Sequence, residues 1–255
     1  DPPMSDILTY IDAGVATLTM NRIDKKNALT AAMYAAMADF FEDCQTNEQV
    51  RVVVVQGHPT VFSAGNDIAD FLQNPPSTQD APVFRFLRAL STFRKPVVAA
   101  VAGPAVGIGT TMLFHCDLVY AGDNAHFAMP FVNLGLCPEA GSSLLAPQAM
   151  GRTRAAEALL LGDPFTAEAA LEMGVVNRVV TPTEVNHFAA SQAARLAAKP
   201  MASLLETKRL LNAENAQAVQ QRIAEEAASF ARMLQEPAAK EAFTAFMEKR
   251  LPQFH

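Results

Sequence analysis

Basic residues are outnumbered and scattered: 20 Lys and Arg stand against 26 Asp and Glu, for a formal charge of −6. With no long basic tract to neutralise a nucleic-acid backbone, nucleic acid is not an expected partner, although a few local cations suffice for a small phosphorylated ligand. No uninterrupted apolar run reaches the ~18–20 residues of a membrane span. The longest uncharged stretch, Pro96 to Cys116, is broken by glycines and a proline and reads as strand, turn and buried helix. No membrane partner is expected. Cysteine is limited to Cys44, Cys116 and Cys137, an odd number without a paired motif, which argues for a reducing compartment and a cytoplasmic location. The opening Asp1-Pro2-Pro3 lacks a basic region followed by an apolar one, so no signal peptide is expected.

Several catalytic signatures are missing too. No G-x-S-x-G elbow surrounds a serine, which counts against an ordinary serine hydrolase. The glycines do not follow the G-x-G-x-x-G order, and the phosphate-loop lysine is absent. His115, Cys116 and Asp117 are consecutive, but neighbouring side chains do not converge on one ion, so no metal is expected.

What is there is a globular composition, 50% hydrophobic and 18% charged over 255 residues, enough for one main core. The first part alternates short strands with helices. Ile7 to Ile11 and Val15 to Met20 read as paired strands, and Thr30 to Cys44 as a helix with Thr30 as its cap. Val52 to Val55, Val97 to Val101 and Leu118 to Tyr120 read as buried strands separated by crossovers, which predicts a largely parallel α/β sheet. From about Ala155 helices dominate, apart from a short strand over Val175 to Val180. Glu184–Ala198, Ala202–Leu211, Ala216–Leu234 and Ala238–Leu251 carry apolar faces. Phe230, Met233, Phe243, Phe246 and Met247 offer more apolar surface than one layer requires, so self-association is expected, with an intramolecular core as the alternative.

The residue that stands out is Glu139, the single charged side chain between Asp123 and Arg152. Lost hydration in such apolar surroundings pushes a carboxyl pKa toward neutrality, as a general base requires. The competing reading is a first-turn glutamate at a helix opened by Pro138. Two glycine-rich strand-to-helix turns accompany it. In Phe62-Ser63-Ala64-Gly65-Asn66-Asp67-Ile68, Gly65 allows the Asn66 amide to face a cleft. In Gly103-Pro104-Ala105-Val106-Gly107-Ile108-Gly109, free first-turn amides face an anionic oxygen. Two such amides form an oxyanion hole, though strand-to-helix turns also use glycine for geometry alone. Asn74 to Gln79 reads as a mobile loop between parts of the site, and Phe71 to Phe86 as the wall of a ligand channel.

In order and spacing, Asn21-Arg22, Asn27-Ala28-Leu29, the two glycine turns, Lys95-Pro96-Val97, Cys116-Asp117, Leu134-Gly135, Pro138, Lys199-Pro200 and Phe246 to Arg250 resemble the crotonase family, or enoyl-CoA hydratase/isomerase superfamily. The resemblance implies a crotonase-like spiral of β-β-α units over residues 1–195, with a C-terminal helical trimerisation region over 196–255. It implies homotrimers or dimers of trimers, and an acyl-CoA substrate whose thioester oxygen is held by the amides of Asn66 and Ile108 beside Gly107. Lys25, Lys26, Ala64, Asp67 and Ile68 correspond to the adenine pocket, and Lys249 to a phosphate contact.

Family hydratases carry two glutamates that hold and activate water; here the matching positions are Thr111 and Phe131, and neither takes a proton near neutral pH. Glu139 with the following small residues and serines is instead similar to a group of Δ3,Δ2-enoyl-CoA isomerases that use one acid. The resemblance therefore implies C2-to-C4 proton transfer by Glu139, with no metal or redox cofactor beyond the coenzyme A of the substrate. Phe131 either keeps the base dry and lines the acyl pocket or simply packs the core. The alternatives are hydration or thioester hydrolysis on the same scaffold, and a non-catalytic acyl-CoA-binding protein.

Overall fold

The computed structural model describes residues 5–255. The leader reading at Asp1-Pro2-Pro3 falls outside them. A six-stranded sheet has the order β1 (Ile7–Asp12), β2 (Val15–Met20), β3 (Val52–Gln56), β4 (Val97–Val101), β6 (Leu118–Gly122) and β9 (Arg178–Val180). β1 and β2 form an antiparallel hairpin, and every later neighbour is parallel. A small second sheet joins β5 (Pro104–Val106), β7 (His126–Ala128) and β8 (Phe165–Thr166). The chain therefore alternates: β4 in the large sheet is followed by β5 in the small one and then by α4 (Ile108–Thr111). β6, β7 and α5 (Ser142–Met150) repeat the pattern. This is the expected succession of β-β-α units.

The valine runs have a physical explanation in the way the large sheet is covered on both faces. Val53, Val55, Val97, Ala99 and Val101 point into the main core, against α1 (Ala31–Thr46) and α3 (Pro82–Ser91). Val52, Val54, Val98 and Ala100 point the other way, against Val185, Ala189 and Ala193 of α8 (Val185–Ala197). Each of these valines contributes ~1.5–3 kcal/mol by leaving water. The Lys95 ammonium, pushed down in pKa by burial, donates to the Cys44, Asn47 and Val50 carbonyls and so pins the end of α1 to β3.

Three expectations change. β5, β7 and β8 were not expected, since the chain was read as passing from Gly103-Pro104 straight into a helix; segments of three residues or fewer carry no resolvable period. The strand expected over Val175 to Val180 is only Arg178–Val180, because the Val175 and Val176 amides turn back to the Ala170 carbonyl after α7 (Ala167–Met173). The helix that the competing reading of Glu139 opened at Pro138 begins at Ser142. Ala140 and Gly141 have φ of 61° and 75°, left-handed values that no right-handed helix can contain, so Glu139 is not a first-turn residue.

Between α7 and the C-terminus lie α8, α9 (Met201–Asn212), α10 (Ala216–Met233) and α11 (Pro237–Met247); α2 (Ile68–Gln73) and α6 (Arg152–Ala156) complete the set. Phe71 of α2 packs against Phe230 and Phe243, so α10 and α11 close part of this chain's own core. Leu210, Leu211, Phe246 and Met247 remain exposed. No helix among the described residues is long and apolar enough to cross a membrane.

Candidate active site

The two glycine turns meet. Phe62 and Ser63 amides both donate to the Pro104 carbonyl, Val106 N donates to Ser63 O at 2.9 Å, and a Cβ on Gly65 would lie 2.9 Å from Val106 O. Gly65, at φ 92°, then exposes the Asn66 amide, and Gly107, at φ 60°, exposes the Ile108 amide at the start of α4. Neither the Asn66 nor the Ile108 N–H has a hydrogen-bond acceptor among the described residues. A Cβ on Gly107 would meet no heavy atom within 4 Å, so the space before that turn is open. The first turn is braced by Asn27, fully buried, whose Nδ2 donates to Phe62 O at 3.0 Å and whose carbonyl accepts from Ser63 Oγ. Tyr34 of α1 donates its hydroxyl to Asn66 Oδ1.

Glu139 comes from the turn between β7 and α5. Thr111 Oγ1, at the end of α4, donates to Glu139 Oε1 at 2.5 Å. Burial is the main cause that pushes the Glu139 carboxyl from 4.5 up to about 8; the Glu226 charge adds to the rise and the Thr111 hydroxyl opposes it. The residue nonetheless keeps partial exposure, as a group that meets a ligand must. Tyr34 lies in the same electrostatic field: burial first, and the Glu139 charge second, raise its phenol well above the usual value.

A cavity of about 340 Å³ is lined by Tyr34, Asn66 and residues from Phe71 to Val83, including the Asn74–Thr78 loop. A second, about 490 Å³, shares Phe71 and Pro75 with it and reaches Phe243 and Met247 of α11. Neither wall includes Glu139 or Ile108. The first cavity is lined by Asn66, whose amide is one of the two exposed donors, and by Tyr34, which feels the Glu139 charge.

A match to the family model described as "Enoyl-CoA hydratase/isomerase" spans residues 10–255. The chain belongs to the enoyl-CoA hydratase/isomerase family. It is 33% identical to a 1,2-epoxyphenylacetyl-CoA isomerase of Escherichia coli K12, over 98% of both chains. It is also 40% identical to Enoyl-CoA delta isomerase 2 of Rattus norvegicus, over 68% of this chain and 46% of that protein. A crystal structure of an enoyl-CoA hydratase/isomerase from Pseudoalteromonas atlantica T6c superposes with a TM-score of 0.94 at 39% identity, covering 98% and 100% of the two chains. The protein is thus an enzyme family member with the crotonase fold.

The other candidate residues of this enoyl-CoA hydratase/isomerase family protein separate into two groups. Lys26 O accepts from Ala64 N at 2.9 Å, which sets exposed Lys25 and Lys26 beside the first glycine turn. Ile68 opens α2, and Asp67 caps it while pairing with Arg22 at 2.7 Å. Its carboxyl is held below the usual range, chiefly by the Asp70 amide. Lys249 is exposed just beyond α11 and makes no hydrogen bond or ion pair to the Lys25–Lys26 turn. Phe131 is buried in the main core and lines neither cavity.

His115, Cys116 and Asp117 face three different partners: the Ala140 carbonyl, the Met112 carbonyl and the Lys208 ammonium. Sequence reasoning missed Tyr34, His115 and Glu226 as neighbours of the site, and read Thr111 only as a missing acid. Their spacing from Glu139 and Asn66 carries no local signal.

Proposed function

We propose that the protein is a Δ3,Δ2-enoyl-CoA isomerase in which one carboxyl moves a double bond along an acyl-CoA thioester. Ionised Glu139 takes a proton from C2 of a 3-enoyl-CoA. The electron pair of that C–H bond becomes a C1–C2 double bond and displaces the carbonyl π pair onto the thioester oxygen, forming a dienolate. The Asn66 and Ile108 N–H groups donate to this oxygen, where preorganised dipoles count for most. Glu139 then gives the same proton to C4, and the 2-enoyl thioester forms with no atom gained or lost.

The observation that carries this reading is the Thr111–Glu139 hydrogen bond. Where family hydratases carry their two glutamates, this chain has Phe131 and a threonine, Thr111, whose hydroxyl is engaged by the Glu139 carboxyl, so one proton carrier is left to serve both carbons. A pKa pushed up to about 8 supports the base role, since general bases work best near the ambient pH. The delta-isomerase name of the rat relative points the same way.

For the rest of the substrate we assign Lys25, Lys26, Ala64, Asp67 and Ile68 to the adenosine end of coenzyme A, and Lys249 to a phosphate. The open space before Gly107 takes the thioester, and Phe131 helps exclude water behind the base. The cavity walled by Phe71 to Val83 takes the acyl chain. No cofactor is invoked beyond the coenzyme A that the substrate brings. We also assign residues 1–195 to the catalytic core and 196–255 to oligomerisation, with exposed Leu210, Leu211, Phe246 and Met247 meeting neighbours in trimers or paired trimers. The three free cysteines fit a cytoplasmic setting.

The test supplies 3-enoyl-CoA and 2-enoyl-CoA separately and weighs the products, with deuterium exchange at C2 followed in parallel. Conversion of the 3-enoyl to the 2-enoyl thioester without change of mass is the expected result. A product heavier by one water, or a free acid, transfers Glu139 to water activation and removes the isomerase reading. Tight binding with neither turnover nor exchange makes the protein a carrier.

A further inference from the structure

Glu226 lies on α10, 87 positions after Glu139 in sequence, yet its carboxylate is spent entirely on the turn that carries Glu139. It is 6% exposed. Its oxygens accept from Gly141 N at 2.7 Å, from Ser143 N at 3.0 Å and from Ser143 Oγ at 2.5 Å. No cation pairs with it within 4.0 Å among the described residues. A buried carboxylate without a cation, close to a second carboxyl, is an expensive arrangement for mere helix capping, which an uncharged serine or asparagine performs equally well.

We propose that Glu226 is a positioning residue for the reaction: it fixes the turn from which Glu139 projects and sets a second negative charge behind it. This rests on the reading of Glu139 as the base. The turn needs an external hold, because Ala140 adopts φ 61° and Gly141 φ 75°, and a non-glycine residue in the left-handed region persists only where its surroundings over-determine it. Ser142 N and Oγ donate to the Glu139 carbonyl at 3.1 and 2.7 Å, and His115 Nε2 lies 2.6 Å from the Ala140 carbonyl. Glu226 takes the donors that face the other way. α10 sits directly over the turn, with Val219 and Ile223 side chains at 3.6 and 3.5 Å from where a Gly141 Cβ would be. Arg222, one helical turn before Glu226, donates to Ser143 Oγ at 3.2 Å.

The titratable groups around the base are therefore Glu226 and Arg222 from α10, Tyr34 from α1, His115 from the 3-10 turn at Met112–His115, and Cys137 of its own loop. Of these, the Glu226 charge is the one that raises Glu139, after burial, toward its value of about 8. Burial, with the Lys208 charge adding to it and the hydrogen bond to Ala140 opposing it, leaves His115 lowered from its usual range, so it changes little across the pH span in which the base ionises.

The test measures kcat and KM for a 3-enoyl-CoA against pH in the full chain, for the wild type and for Glu226→Gln, Glu226→Asp, Ser143→Ala and Glu139→Gln. In Glu226→Gln the acid limb should move to lower pH and the plateau kcat should fall ~10–100-fold with KM unchanged, the range expected when a base is misaimed. Glu226→Asp keeps the charge and should lower the plateau without moving the limb. Should Glu226→Gln not fold, Ser143→Ala removes one donor and leaves Glu226 in place; a kcat reduced at constant KM supports the inference, and a wild-type kcat overturns it. A lower Tm with an unmoved pH limb and unchanged kcat in Glu226→Gln also overturns it. A dead Glu139→Gln beside an unaffected Glu226→Gln leaves the base reading standing and removes this one, whereas wild-type turnover in Glu139→Gln removes both.

Discussion

The two glycine turns and the turn that carries Glu139 solve different problems. Gly65 and Gly107 aim the Asn66 and Ile108 amides by backbone angle, and the two turns are braced by each other and, on the first, by the Asn27–Leu29 segment. The Glu139 turn is instead held by side chains from three other elements: Thr111 at the end of α4, His115 in the following 3-10 turn and Glu226 on α10. Donor direction is thus set by the backbone angle at one glycine in each turn. The acidity of the carboxyl is a property of everything packed around it.

Four substitutions or conditions separate those roles further. Glu139→Gln keeps the shape of the turn and removes the proton carrier, so kcat for a 3-enoyl-CoA should fall ~10²–10⁴-fold, the usual contribution of a general base. Residual activity within a few-fold of wild type defeats the assignment. Gly65→Ala attacks the other partner: its Cβ would meet Val106 O at 2.9 Å and its φ is 92°, so the Asn66 amide must turn away. The expected loss is ~10²–10³-fold in kcat, as for removal of one oxyanion donor, with the acid limb of the pH profile unmoved.

Thr111→Val leaves both amides alone and strips one hydrogen bond from the carboxylate. The Thr111 hydroxyl lowers the Glu139 pKa, so its loss should carry the acid limb above about 8 and reduce activity at pH 7 by ~10-fold. A limb that moves downward would contradict the geometry. The sign is opposite to that expected for Glu226→Gln, and the pair of variants makes a sharper test than either alone.

The last effect is on stability rather than on turnover. In the folded chain Glu139 stays protonated up to about 8, while an unfolded glutamate ionises near 4.5, so between those values the unfolded state binds fewer protons. Stability should therefore fall as pH rises through that window, by on the order of a few kcal/mol at most, and the slope should flatten in Glu139→Gln. Urea unfolding at several pH values measures it; identical slopes in the two proteins would place the Glu139 carboxyl in water.

Much of the fold was legible where one residue after another repeats a pattern. The β1–β2 hairpin, the Thr30 cap that accepts from Met33 N, the valine strands and the four late helices lie within a few residues of their expected positions. Short strands were not legible, since β5 and β7 have three residues each and β8 has two. Asn27 stood in the sequence as part of a motif, but its task of holding Phe62 from 35 residues away appears only once the chain is folded.

The crotonase-type layout was implied by the family resemblance; from the residues in order came a largely parallel sheet followed by helices, the two turns able to present free amides, and one isolated acid among apolar neighbours. Each depends on neighbours in sequence, through side-chain periodicity or the angles that glycine permits. Only packing decided that Pro138 does not open a helix, that Thr111 grips the carboxyl, and that Glu226 comes back from α10 to hold its turn. Hydration loss and charge–charge repulsion depend on distances through space, and those distances exist only after the helices have closed over the sheet.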